Sequence, residues 1–387
     1  MRIRCLVLMS ALAAVIIGSL ASVLIAGQVP TTAAGTWTPH RTPWGEPDLQ
    51  GIWIQNEHTP LERPKEYAGR AFLTDEEVAE LDQTRARNIE LAPKFGPSTR
   101  QGKGTEHDVA GAYNNVFTSF RKTGRRTSLI TDPPDGKIPP YTPAGEKRLA
   151  GVREYLSALL QGTSGGKAGP LSPRRAEAPP IYNVDRMNRA DGPEDRSLRE
   201  RCQGTVLPFL GGEDPIRLVQ SPGNVAIYYE ADASNGNRII PVDGSPRLPQ
   251  PIRQWLGDAR GRWEGNTLVV DTTNFSPKSD FRGSRENLHL VERFTRVDTN
   301  MLEIQTTIDD PTTWTRPWTV TLDLTKSEDK YNRIFERDCQ EGNYGLTGIL
   351  ANTRAAEKAF AEGRGPDPAT MDTATGGGGG GPTTPID

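Results

Sequence analysis

Two charged residues fall on runs that alternate as buried strands do. In Trp314-Thr315-Arg316-Pro317-Trp318-Thr319-Val320-Thr321-Leu322, a period of two puts Trp314, Arg316, Trp318, Val320 and Leu322 on one face. In Leu288-His289-Leu290-Val291-Glu292-Arg293-Phe294, the apolar face is Leu288, Leu290 and Phe294, and it includes Glu292. A buried charge is costly unless it is paired. Two chemistries follow. In the first, Glu292 and Arg316 form a structural ion pair, with the indoles of Trp314 and Trp318 covering the guanidinium. In the second, Arg316, Glu292, Trp314 and Trp318 line a pocket where the guanidinium meets a ligand carboxylate or another anion. A register error of one residue would invert both readings.

Other chemistry is poorly supported. The four histidines are His40, His58, His107 and His289, and no two have the spacing of metal ligands. Glu106-His107-Asp108 is the densest cluster and lies in a polar loop. No metal and no cofactor are expected. There is no Gly-x-Ser-x-Gly elbow, phosphate loop or dinucleotide fingerprint. Carboxylates occur at Asp271, Glu292, Asp309 and Asp310, and sequence cannot bring two of them onto one glycosidic bond. Asp309-Asp310-Pro311 reads as a solvated turn.

The elements that would position these residues are mostly strands. From Ile252 to Gln340, β-rich runs alternate with turn residues: RGRWEGNTLVVDTTNF, LHLVERFTRVD, MLEIQTTIDDP, TWTRPWTVTLDL and NRIFERDCQ. Gly265-Asn266 closes a tight hairpin, and Asp298-Thr299-Asn300 turns the next. Three more strands precede them, Ile216 to Gln220, Val225 to Glu230 and Arg238 to Val242, with Ser221-Pro222-Gly223-Asn224 as a hairpin turn. The fold class is therefore mainly β, a β-rich α+β chain. It is an antiparallel meander forming a barrel of about eight to ten strands, with a few peripheral helices and long Pro/Gly-rich loops. Gly51-Ile52-Trp53, inside the strand-like run Leu49 to Gln55, has the Gly-x-Trp form seen near the first strand of lipocalin-type barrels. Gly261-Arg262-Trp263 has it too.

Helices are expected outside the barrel. Thr74 caps one from Leu73 to Ile89, with Glu77 completing a capping box and Leu73 and Val78 as its hydrophobic staple. Thr142-Pro143 opens a second, with Leu149, Val152, Leu156 and Leu159 at helical spacing. Thr127 to Ile130 is a short strand. Gln161 to Ala190, rich in Gly, Pro, Ser and Arg, reads as a mobile insertion. A short helix spans Glu194 to Cys202.

The chain has 387 residues, a formal net charge of −3, 35% hydrophobic residues, 40 Gly and 32 Pro. That suits a loop-rich β protein and offers no reason to expect nucleic acid. Met1-Arg2-Ile3-Arg4 followed by the apolar run Cys5 to Gly27 is an export signal. Residues 1–27 are thus a signal peptide or an uncleaved N-terminal anchor, the only membrane contact expected, and the body is periplasmic or extracellular. In such a compartment Cys202 and Cys339 are candidates for a disulfide. Residues 28–205 read as a loop-rich region with two helices packed on the barrel, 206–345 as the barrel, 346–362 as a C-terminal helix and 363–387 as a disordered tail.

The phrases TPWGEPDLQGIW, RTSLITDPPDGKIPP, EDRSLRERC, IRQWLGDARGRWEGNTLVVDTTNF, ENLHLVERFTRVD, DDPTTWTRPWTV and CQEGNYGLTGIL resemble a family of exported bacterial proteins, of soil and acidobacterial type. The resemblance covers Thr42 to Lys358. It implies export and carries no activity, cofactor or catalytic residue with it. Members read CHEGN where this chain has Cys339-Gln340-Glu341-Gly342-Asn343, so a role resting on a histidine there is not expected here.

The leading expectation is an exported barrel that binds a small anionic or amphipathic molecule. A structural or interaction protein of the cell envelope is one alternative. A hydrolase using Glu292 or Asp271 as acid/base is another. The sequence leaves the oligomeric state open.

Overall fold

The computed structural model describes residues 37–91, 121–182, 187–198, 200–202, 207–212, 215–230, 236–327 and 344–372. From Pro39 onward these belong to one unit; Trp37 and Thr38 belong to a second, Met1–Thr38. The strands are β1 (Gly51–Ile54), β2 (Glu57–His58), β3 (Lys122–Thr123), β4 (Ile130–Asp132), β5 (Ile216–Ser221), β6 (Asn224–Tyr229), β7 (Gly236–Pro241), β8 (Asp258–Glu264), β9 (Thr267–Thr273), β10 (His289–Asp298), β11 (Met301–Asp309) and β12 (Trp318–Lys326). The helices are α1 (Asp75–Leu91), α2 (Pro143–Leu160) and α3 (Tyr344–Ala361).

Nine strands follow one another in the order β7-β6-β5-β1-β12-β11-β10-β9-β8 and curl into a nearly closed antiparallel barrel. Its first and last strands, β7 and β8, are joined by side chains. A Cβ at Gly261 on β8 would lie 2.6 Å from Val242 Cγ1 and 3.0 Å from Ile240 Cγ2, so glycine lets the seam close. The local cause of the strands is strict alternation. Along β10 and β11 every second residue is buried, and these residues make the core with Leu268, Val270, Val320 and Leu322. The turns agree with the strands. Glu264 pairs with Thr267 across Gly265-Asn266, and Gly265 has φ 61°, as the first central residue of a type II′ turn requires.

The region upstream of the barrel does more than pack on it. β1 is a stave of the barrel, between β5 and β12, and β4 pairs with the other half of the same edge of β12. Thr74 and Glu77 form the expected capping box of α1, with Glu77 N 3.2 Å from Thr74 Oγ1 and Thr74 N 2.9 Å from Glu77 Oε2. At α2, Thr142 accepts from Gly145 N at 3.1 Å, and Pro143 follows the cap.

Three expectations fail where the chain is described. Gln161 to Ala190 is no mobile insertion where it is described. It folds back on α2, with Met187 packed on Tyr155 and Leu159, and Arg175 Nη1 donates to the Leu159 carbonyl at 2.8 Å. Arginines, not apolar residues, tie this segment down, which composition alone does not reveal. The described part of the tail, residues 363–372, also has structure. A 3-10 turn at Pro368–Thr370 brings it back to Ser164, whose N–H donates to Thr370 O at 2.9 Å. The short helix expected from Glu194 to Cys202 is only a 3-10 turn, Pro193–Asp195, followed by turns. The run NRIFERDCQ lies outside the described residues, as do Glu106-His107-Asp108, the export signal and the glycine run.

Candidate functional site

Glu292 points into the barrel between Val270 and Thr306, as alternation predicts. Its partner is not Arg316. It is Arg238 of β7, whose Nη2 lies 2.6 Å from Glu292 Oε2; the two side chains are 3% and 2% exposed. Arg238 also donates to Thr272 Oγ1 on β9. One guanidinium therefore ties β7 to β9 and β10 across the seam. Burial pulls its pKa down, but Glu292 and Tyr229 together outweigh burial and hold it above the ordinary arginine range. Tyr229 lies beside the pair, and burial, with Glu292, pushes its hydroxyl up to about 12. At neutral pH this is a fixed, internally neutral pair next to a neutral phenol.

Trp314 and Trp318 are buried at one end of the barrel, with ring centroids 5.6 Å apart in an edge-on arrangement. Phe281 stacks on Trp318 at 6.2 Å and 18°. Arg316, between them in sequence, turns outward. It is 49% exposed and bridges Asp132 at 2.9 Å. The reason is Pro317. It cannot donate to a ladder, so the strand begins only at Trp318 and the alternation does not reach back to Arg316. The structure thus brings Glu292, Trp314 and Trp318 into the core and leaves Arg316 out.

A second buried cluster lies toward the other end of the barrel. Trp53 of the Gly-x-Trp run is fully buried and donates to Leu49 O at 3.0 Å. The guanidinium of Arg296 lies over its ring at 5.6 Å and donates to the carbonyls of Asp48 and Thr299 at 3.1 and 2.6 Å. Asp310 is not solvated as expected. It is 1% exposed and accepts from Ser284 Oγ, Thr313 Oγ1, Thr312 Oγ1 and Thr312 N. Burial alone would raise its pKa, and these bonds outweigh it and hold the carboxyl below its usual value. Asp271, the other acid/base candidate, lies at the barrel's outer surface and pairs with Arg247 and with His289 Nε2.

The turn held by Asp310 also seats α2. Thr142 N donates to Thr313 O at 2.8 Å, and Arg148 donates to Gly283 O at 2.8 Å, Thr312 O at 3.0 Å and Thr313 Oγ1 at 2.6 Å. Between α2 and the returning segment runs an open groove of ≈ 490 Å³. Its lining carries four cationic side chains, Lys147, Arg148, Arg174 and Arg285, against one carboxylate, Glu177. Arg174 is neutralised by Glu154 at 3.1 Å and Glu177 at 3.2 Å, and Arg285 by Asp280 at 3.0 Å. Arg148 spends its Nε and Nη2 on neutral oxygens and keeps its charge uncompensated. Lys147 makes no ion pair or hydrogen bond among the described residues. A second groove of ≈ 430 Å³ lies on the other side of the same segment, against α3 and the tail, and its charges are mixed.

Sequence reasoning missed Arg238 and the α2 groove. Arg238 did carry a signal, since it alternates in step with Ile240 and Val242, two core-packing residues. Lys147 and Arg148 carried none, because the wall opposite them comes from a segment that read as mobile. Among the described residues no group of His, Cys, Asp and Glu is arranged to hold a metal, and no helix is long and apolar enough to cross a membrane. Cys202 is buried; Cys339 lies outside the described residues.

No family model, curated protein or solved structure matches this chain.

Proposed function

We propose that this is an exported small-molecule-binding barrel protein whose ligand is an anion held in the groove along α2. The observation that carries the proposal is the uncompensated charge of Lys147 and Arg148 on that groove. The barrel serves as the scaffold. The Trp53–Arg296 and Trp314–Trp318 clusters are buried toward its two ends, and Arg238 and Glu292 pair inside it. The basic start followed by the Cys5 to Gly27 apolar run supports export. Export favours a Cys202–Cys339 disulfide, to be read by non-reducing mass mapping of exported protein, where free thiols at both positions would refute it.

A calorimetric or thermal-shift panel of carboxylates and phosphates tests the binding proposal. Binding should weaken with added salt, since the site is open to solvent. Lys147→Glu should weaken it about tenfold, the effect of about 1.4 kcal/mol. Lys147 is exposed and makes no ion pair or hydrogen bond among the described residues, so the fold should be unaffected. Equal affinity of Lys147→Glu and the parent, or no anion bound by either, overturns the proposal.

A further inference from the structure

We infer that the anion bound along α2 carries an apolar body, so that the ligand class is a single-headed amphipathic carboxylate lying parallel to the helix. This rests on the reading of the groove as an anion site. The groove is lined from α2 by Ala144, Lys147, Arg148, Gly151, Val152 and Tyr155. Their spacing of three and four residues makes one face of the helix, and the chemistry changes along it. At the end near the barrel turns lie Lys147 and Arg148, with Arg285 on the neighbouring loop. Toward the other end lie Gly151, Val152 and Tyr155, opposite Ala178 and Pro180. The charges at that second end are spoken for: Arg174 is paired with Glu154 and Glu177 and lies over the Tyr155 ring at 5.6 Å. The Tyr155 hydroxyl is also engaged, with the carbonyl of Glu177 at 3.3 Å and Arg189 at 3.2 Å. What remains facing the groove is apolar.

Gly151 is the decisive residue. It lies in the interior of α2, where glycine is a poorer helix former than alanine. Its backbone is not among those with positive φ. Nothing lies within 4 Å of where its Cβ would be. No close approach and no turn requires glycine there. Its absent side chain leaves the groove open beside Val152. From Lys147 to Tyr155 the helix rises ~12 Å, about the length of an extended chain of roughly ten carbons.

The test is a series of straight-chain carboxylates, from acetate through hexanoate to decanoate, titrated into the parent and into Gly151→Leu. In the parent, each methylene should tighten binding about two- to fourfold, up to the length of the groove. Gly151→Leu should fold at least as well, since leucine is the better helix former. It should lose the gain with chain length. Val152→Ser, which adds no bulk, should lower the ratio of decanoate to acetate affinity several-fold. Carboxylate binding that is flat with chain length in the parent overturns this inference and leaves the anion site standing. A chain-length gain that survives in both variants places the apolar body elsewhere and also overturns it. No binding at any length removes the anion site itself.

Discussion

The barrel interior and the α2 groove both hold arginines, and they use them oppositely. Inside the barrel, Arg238 meets Glu292 at 2.6 Å, with both side chains almost wholly buried. Removing water there makes an unpaired charge intolerable, so the charges neutralise each other and none is left for a ligand. Along α2, Arg148 is spent on carbonyls and hydroxyls that carry no net charge, and Lys147 stands in solvent. Water makes an uncompensated charge cheap there, and cheap charge can be offered to a ligand. Burial, more than residue type, separates a staple from a binding group.

The interior half of that contrast makes the largest prediction. Arg238→Met strands a buried carboxylate and should cost about 3–5 kcal/mol of stability. The double variant with Glu292→Leu should recover much of it, read as the coupling in a urea-unfolding cycle. Additive single effects would break the comparison, because the pair would then not act as a unit.

Asp310 stands between the two regions, in the turn that ends β11 and seats α2. Its folded pKa is depressed. The stability it contributes is therefore fully present above the unfolded value of about 3.9, and is lost as pH falls through the folded value below that. Asp310→Asn should cost about 1–3 kcal/mol at neutral pH. The difference between parent and variant should shrink below about pH 4, as followed by denaturant melts at stepped pH. A difference that is constant down to pH 2 would show that the charge on Asp310 contributes nothing.

Arg316 is the smallest case and tests the exposed side of the contrast. Its bridge to Asp132 is about half exposed on both partners, and such pairs contribute about 0–1 kcal/mol. Arg316→Met should shift the melting curve little and leave anion binding along α2 unchanged. A loss of several kcal/mol would mean that its guanidinium is held inward after all.

Much of the barrel was legible because its cause is local. The alternation in LHLVERFTRV and MLEIQTTI, the Gly265-Asn266 turn and the Thr74–Glu77 capping box each involve neighbours in the chain, and each appears as expected. Glu292 was rightly placed inside. Its partner was misassigned because alternation was carried across Pro317, where no ladder can continue. The groove was illegible for a different reason. Its far wall is held by Arg175 reaching the carbonyls of Leu159 and Asn188 and by Arg189 reaching the carboxylate of Asp195, and a Gly/Pro-rich composition says nothing of such contacts.

By itself the sequence determined which residues face inward along β10 and, from Trp318 onward, along β12, where the hairpins turn and where helices α1 and α2 begin. Those follow from the two-residue period, from φ preferences and from capping, all of which act within a few residues. Only the tertiary structure decided that the inward Glu292 would meet Arg238, and that Lys147 and Arg148 would border an open groove. Closing the nine-strand path puts β7 beside β8 and swings Arg238 across the seam. The return of the chain after α2 builds the wall that faces Gly151. Both meetings join residues far apart in the chain, and which distant charges meet is set by closure and packing, not by any pattern along the chain.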